Sequence, residues 1–148
     1  MKWDQLSEQR CSMARALAVV GDRWTLMILR DCFLGVRRFD AFQERLGVSR
    51  TIVSDRLETL VREGVLTRAP YQVRPPRHEY RLTAKGMGLH PVVMALVHWG
   101  DLYYAGDEGP PLVHRHKACG HDFHPVQTCS ECGEPLDPRA VEIRAGPS

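Results

Sequence analysis

The segment from Val36 to Thr83 constrains the fold of this 148-residue chain more than any other stretch. It reads VRRFDAFQERLGVSRTIVSDRLETLVREGVLTRAPYQVRPPRHEYRLT, with apolar residues recurring first at helical and then at strand spacing. Phe39, Phe42 and Leu46 share one side of a short helix over about 39–46. Gly47 permits a sharp turn, Val48 packs inside it, and Ser49 can cap a second helix that ends near Gly64. Along that helix Val53, Leu57, Leu60 and Val61 form a buried stripe, while Arg50, Thr51, Ser54, Asp55 and Glu58 lie on the opposite face. Beyond Gly64, VLTRAPYQV and HEYRLT read as strands around an RPPR tip, where prolines cannot donate ladder bonds and so mark the bend.

Helix, tight turn, helix and Arg-rich hairpin together predict a mainly α fold with a small β-hairpin wing (α+β), a winged helix-turn-helix. Two scaffold helices should precede it. One runs over about 11–20 with Ala14, Leu17 and Ala18 on one face; the other is capped by Asp22 and stopped by Gly35. Thr83 can cap a final long helix through about Tyr104, in which Pro91 should cause a kink or a restart. The expected organisation is a DNA-binding and dimerisation domain over 1–104, a linker over 105–111 (AGDEGPP, from Ala105), and a short Cys/His-rich module over 112–148.

A helix that reads DNA must bury one face and present short polar and Arg side chains to base edges. The helix at about 49–63 meets that requirement through Ser49, Arg50, Thr51 and Ser54. Arg37 and Arg38, just before the preceding helix, are placed to grip the phosphate backbone. Arg74 and Arg77 flank the tip of the wing, about 65–82, and are candidates for phosphate or minor-groove contact. Charge supports this placement. Residues 37–81 hold ten Arg, no Lys and six acidic residues, so a net charge of +4 sits there while the whole chain carries +2.

No apolar run approaches the roughly 20 residues of a membrane-spanning helix. The polar start, MKWDQLSEQR, lacks the apolar region of a signal peptide, so a cytoplasmic location is expected.

Five cysteines, an odd number, argue against a disulfide framework. Cys119, Cys129 and Cys132 lie close together in HRHKACGHDFHPVQTCSECGEPL, where His116-x-x-Cys119-Gly120 is echoed by Cys129-x-x-Cys132-Gly133. Two such knuckles resemble a minimal zinc ribbon, with His116, Cys119, Cys129 and Cys132 as ligands of one structural zinc per chain. His114, His121 and His124 are other candidates for the fourth ligand, and a reversible Cys129–Cys132 disulfide is the alternative use of that pair. Cys32 belongs to an apolar helix and reads as core.

The runs CSMARALAVVGDRWTLMILRD, GVRRFDAFQERLGVSRTIVSDRLETLVREGVL, RPPRHEYRLTAKG and HPVVMALVHWG resemble the HxlR-type transcriptional regulators over about Cys11 to Gly100. The resemblance implies a homodimer built on the N-terminal and long C-terminal helices, with each recognition helix reading half of an inverted repeat in double-stranded DNA. It also implies a candidate redox-sensing thiol at Cys11, whose alternative is a small buried residue of the dimer interface. Physics points to a dimer as well, because a helix as apolar as Leu89 to Tyr104 is hard to hide in so small a monomer. The expected function is a transcriptional regulator, not an enzyme, responsive to a small molecule or an oxidant. The rivals are a protein-interaction module with a degenerate winged helix and, from the Cys/His tail, a metal-dependent enzyme.

Overall fold

Asp22 starts the helix against which the two helices of the helix-turn-helix pack. In the computed structural model, which describes residues 2–147, its carboxylate accepts from the N–H groups of Trp24 (3.0 Å) and Thr25 (3.1 Å). The described chain forms two compact units that divide between Val93 and Met94.

The first unit opens with a 3₁₀ turn, Trp3–Glu8, that periodicity did not suggest. Helices α1 (Ser12–Val20), α2 (Arg23–Phe33), α3 (Phe39–Leu46) and α4 (Arg50–Arg62) follow, each within a residue or two of its expected place. Gly47 ends α3 with φ +65°, a conformation that costs other residues about 1–2 kcal/mol, and Ser49 Oγ accepts from Ile52 N–H to begin α4. The packed centre consists of Ile28 and Leu29 from α2, Phe42 from α3, and Val53, Leu57 and Leu60 from α4, all 0% exposed. Each contributes about 1.5–3 kcal/mol of burial. Phe39, Leu46 and Val61 are only half-buried, so the outer part of the stripe is looser than its spacing suggested.

Strands β1 (Leu66–Gln72) and β2 (Arg77–Leu82) form the antiparallel wing, from the Leu66–Leu82 pair to an irregularity between Pro70 and Gln72. Arg38 bridges to Glu79, and Tyr80 N–H donates to Arg37 O at 2.7 Å, which ties the start of α3 to β2.

Thr83 does not cap the long helix. It caps a single turn, α5 (Ala84–Met87), where its Oγ accepts from Gly86 N–H, and α6 (His90–Tyr104) then restarts with Pro91 in its first turn. Proline is tolerated there because its missing N–H would have no helical partner. The turn is tightly seated: a Cβ on Gly86 would lie 2.2 Å from Val65 O and 3.0 Å from Leu82 Cδ2. A backbone carbonyl cannot swing aside, so Gly86→Ala should cost about 1–3 kcal/mol in denaturant unfolding. A loss below about 0.5 kcal/mol would show that α5 shifts freely.

The second unit comprises the rest of α6 and the tail. Hairpin strands β3 (Arg115–His116) and β4 (His121–Asp122) pair His116 with His121. A second hairpin is held by a Thr128–Pro135 bridge, and a 3₁₀ turn, Pro138–Ala140, comes after it. No described residue from 105 onward is buried. Among the described residues no helix is long and apolar enough to cross a membrane.

Candidate nucleic-acid interface

Helix α2 carries an aspartate near each end, and each engages one helix of the helix-turn-helix. At the start, Arg56 of α4 donates through Nε to Asp22 Oδ1 (2.7 Å) and through Nη2 to Oδ2 (3.3 Å). This arginine bond, more than the cap bonds from Thr25 and Trp24, holds the Asp22 carboxyl below the usual range. Near the end, Asp31 is fully buried. Its Oδ1 accepts from Arg30 Nε (2.9 Å) and Nη2 (2.6 Å), and Arg45 Nε of α3 lies 3.2 Å from Oδ2. The neighbouring Cys32, expected in the core, is only half-buried and lines a surface hollow; burial first, and the Asp31 charge second, push its thiol up to about 12.

With α3 and α4 held in this way, the start of α4 faces outward. Arg50 donates to Asp40 Oδ1 (3.2 Å) and Gln43 Oε1 (3.4 Å), and its guanidinium lies over the Phe39 ring at 4.6 Å. Arg50 and Asp40 are both largely exposed, so the pair contributes only about 0–1 kcal/mol and can give way to a stronger partner. Thr51 and Ser54 line a shallow hollow of about 340 Å³ with Arg50. Ser49 remains exposed at the helix start, where its hydroxyl oxygen accepts the cap bond and its O–H can still donate.

The wing joins this face. Arg38, Arg50 and Arg77 border one open groove of about 600 Å³, together with Asp40, Tyr71 and Tyr80. Arg38 is held over the Tyr71 ring at 4.2 Å and lies 3.7 Å from Glu79, a contact worth about 0.5–1 kcal/mol at an exposed site. Glu79 also accepts from Arg81 Nη2 (3.0 Å), the first cause of its lowered pKa, with Arg38 and Arg37 adding smaller effects.

Two expected contact residues lie apart from this groove. Arg37 lines a separate hollow with Arg81, Leu82 and Met87. Arg74, exposed at the wing tip, borders neither hollow; its carbonyl accepts from Gln72 Nε2 (3.1 Å), and its peptide bond to Pro75 is cis. Sequence reasoning missed Asp40, Arg56, Tyr71 and Glu79, and foresaw Asp22 as a cap but not as the partner of Arg56. Asp40 and Gln43, one helical turn apart beside Phe39, were legible as a polar edge. Nothing in spacing announces a partnership between residues 22 and 56.

In the tail, Cys119 Sγ lies 3.5 Å from His116 Nδ1, and Glu131 N–H donates to Cys129 Sγ at 3.4 Å. The Cys129 thiol is lowered by the N–H groups of Cys132 and Glu131 and then by the Cys132 side chain. Among the described residues no three His, Cys, Asp or Glu side chains gather where they could hold a metal ion. Cys11, at the cap position of α1, is exposed.

A helix-turn-helix with an exposed polar helix start, flanked by a basic hairpin, defines an HTH-type transcriptional regulator of the winged-helix class. Residues 19–108 match the HxlR-like helix-turn-helix family, and the chain belongs to that family. It is 46% identical over 136 residues to Rv3095, named as an uncharacterized HTH-type transcriptional regulator of Mycobacterium tuberculosis, a match spanning 92% of this chain and 86% of the relative. YtfH of Escherichia coli, named as a regulator of the same type, is 33% identical over 69% of this chain and 82% of its own. The crystal structure of PA1607, described as a candidate transcription factor, superposes with a TM-score of 0.84 at 32% identity, covering 95% of this chain and 98% of its own. The reduced form of the redox regulator HypR gives a TM-score of 0.58 at 27% identity, over 62% of this chain and 92% of that one. The first of these matches runs past residue 108, where the family model ends, and therefore enters the tail.

Proposed function

We propose that the chain works as a homodimer that binds an inverted repeat in double-stranded DNA, with the start of α4 in the major groove and the wing on the backbone or in the minor groove. The observation that carries this reading is the common groove bordered by Arg38, Arg50 and Arg77, beside the hollow of Thr51 and Ser54. Arg50 can reach guanine O6 and N7, Thr51 and Ser54 can reach base edges, and Arg77, with Arg74 at the tip, supplies phosphate contacts. Arg37 faces other neighbours and is the weakest member of the expected set.

Dimerisation is supported by large apolar side chains left in water. Trp3 and Met13 are 65% and 72% exposed, and along α6 Leu96, Trp99 and Leu102 are 50–61% exposed. A two-fold partner would remove such surface from water and double the DNA contacts. Sedimentation at micromolar concentration should give twice the chain mass, and a monomer there would remove the inverted-repeat reading.

A change in dimer geometry in response to an oxidant or a small molecule would alter DNA occupancy. The exposed Cys11 at the start of α1 and the likeness to a redox regulator support the oxidant form. Cys11→Ser should then abolish any oxidant effect on DNA affinity, and an unchanged effect would assign the response elsewhere.

Fluorescence anisotropy with DNA from upstream of its own coding region, across a salt series, tests the main reading. Selective binding that weakens steeply with salt is expected, since each neutralised phosphate releases counterions. Salt-insensitive or non-selective binding would favour the interaction-module reading. Arg50→Ala should cost about 1–3 kcal/mol and relax preference at one base position. A uniform loss across all sequences would make Arg50 a phosphate contact.

A further inference from the structure

The tail has ordered turns but no apolar interior. Leu112, Val113, Phe123, Val126 and Leu136 are 41–70% exposed, so hydrophobic burial does not hold its two hairpins in shape. What the hairpins share is a turn. In the first, Gly120 N–H donates to His116 O at 2.8 Å and Gly120 has φ +73°; in the second, Gly133 N–H donates to Cys129 O at 2.8 Å with φ +75°. The sequence repeat is thus a structural repeat, two ligand-x-x-Cys-Gly knuckles with the same backbone.

The spacing inside the first knuckle is informative. Tetrahedral zinc with Zn–S of about 2.3 Å and Zn–N of about 2.0–2.1 Å separates a sulfur from a nitrogen ligand by about 3.6 Å. Cys119 Sγ and His116 Nδ1 stand 3.5 Å apart. In the second knuckle the Glu131 N–H points at Cys129 Sγ, the orientation that stabilises a thiolate.

We propose that these knuckles are two halves of one structural zinc site, and that a Zn²⁺ ion held by His116, Cys119, Cys129 and Cys132 draws the hairpins together. Three thiol protons pass to solvent as three S–Zn bonds form, His116 binds as neutral imidazole, and no redox change occurs. The site then carries one net negative charge. Four protein ligands complete the tetrahedron, so the ion's role is folding of the tail and not catalysis. The absence of a gathered set of three ligands among the described residues means that the halves must close on one another.

The full-length chain, stripped of metal under reducing conditions, should be titrated with Co²⁺ and then Zn²⁺. One Co²⁺ per chain is expected, with ligand-field bands of tetrahedral cobalt and a sulfur-to-cobalt charge-transfer band that Zn²⁺ abolishes. Cys119→Ser and Cys132→Ser should each weaken that band and lower affinity at least tenfold, and His116→Ala should lower affinity likewise. Native mass spectrometry of the unsubstituted chain gives a readout that does not depend on variant folding: one zinc ion per chain. Absence of a thiolate–cobalt band would overturn the proposal. So would full retention of the band in Cys119→Ser, since the ion would then belong to the second knuckle alone. DNA binding in the anisotropy assay is read separately, so failure here leaves the regulator reading intact.

Discussion

Asp31→Ala should lower the unfolding free energy by about 3 kcal/mol, the lower end of the range for breaking a buried ion pair. The carboxylate is fully buried, and its Oδ1 takes two charge-assisted bonds from Arg30. Its Oδ2 has no aligned hydrogen bond and depends on the charge of Arg45, 3.2 Å away. Removing the carboxylate leaves two cations without their counter-charge. Both arginines are about a third or more exposed, so water can recover part of their solvation, which is why the higher end of the range is not expected. Guanidinium unfolding at fixed protein concentration measures the loss. A change under 1 kcal/mol would mean that Asp31 is a tolerated burial and not a strut between α2 and α3.

The second large effect belongs to Asp22→Ala, at about 2–3 kcal/mol. A helix cap contributes about 1 kcal/mol and a hydrogen bond to a charged group about 1.5–3 kcal/mol. Partial exposure of both Asp22 and Arg56 moderates the sum. The same residue predicts a pH dependence. Because its carboxyl is held below the ordinary value in the fold, its contribution is complete above the ordinary carboxylate range. It is lost as pH falls through the lowered value, so the native chain should shed stability in that acid window. Asp22→Ala should have lost that stability already and show a shallower acid limb. Equal acid slopes for the two proteins would assign the acid sensitivity to other carboxylates. Asp22→Ala should also weaken DNA binding without altering base preference, since Arg56 ties α4 down from the side opposite the face proposed to read bases.

Much of the interface was legible because its signals are local. The Phe42 and Val53–Leu57–Leu60 stripes, the left-handed Gly47, the Ser49 cap and the proline tip each depend on residues within a few positions of one another. The same holds for the two knuckles, whose glycines repeat the same turn. Expectations were less accurate where several options were locally equal. Pro91 allowed either a kink or a restart of the long helix; the structure has the restart, and Thr83 caps only the single turn of α5. Arg37 and Arg38 are adjacent and chemically identical. Backbone pairing with β2 sends Arg38 to Tyr71 and the groove, and Arg37 to the hollow beside Arg81.

The sequence by itself determined the order of helices, turn and wing, and the basic character of the face they present, since backbone sterics, capping and amphipathic period act over one or two turns. Tertiary structure alone decided which arginines are free to meet DNA. Arg56 and Arg45 are drawn inward by aspartates 34 and 14 residues away, while Arg50 and Arg77 border the open groove. Such charge pairs form where packed helices bring distant side chains within bonding reach, and that meeting is set by how α2, α3 and α4 cross, which no local periodicity encodes.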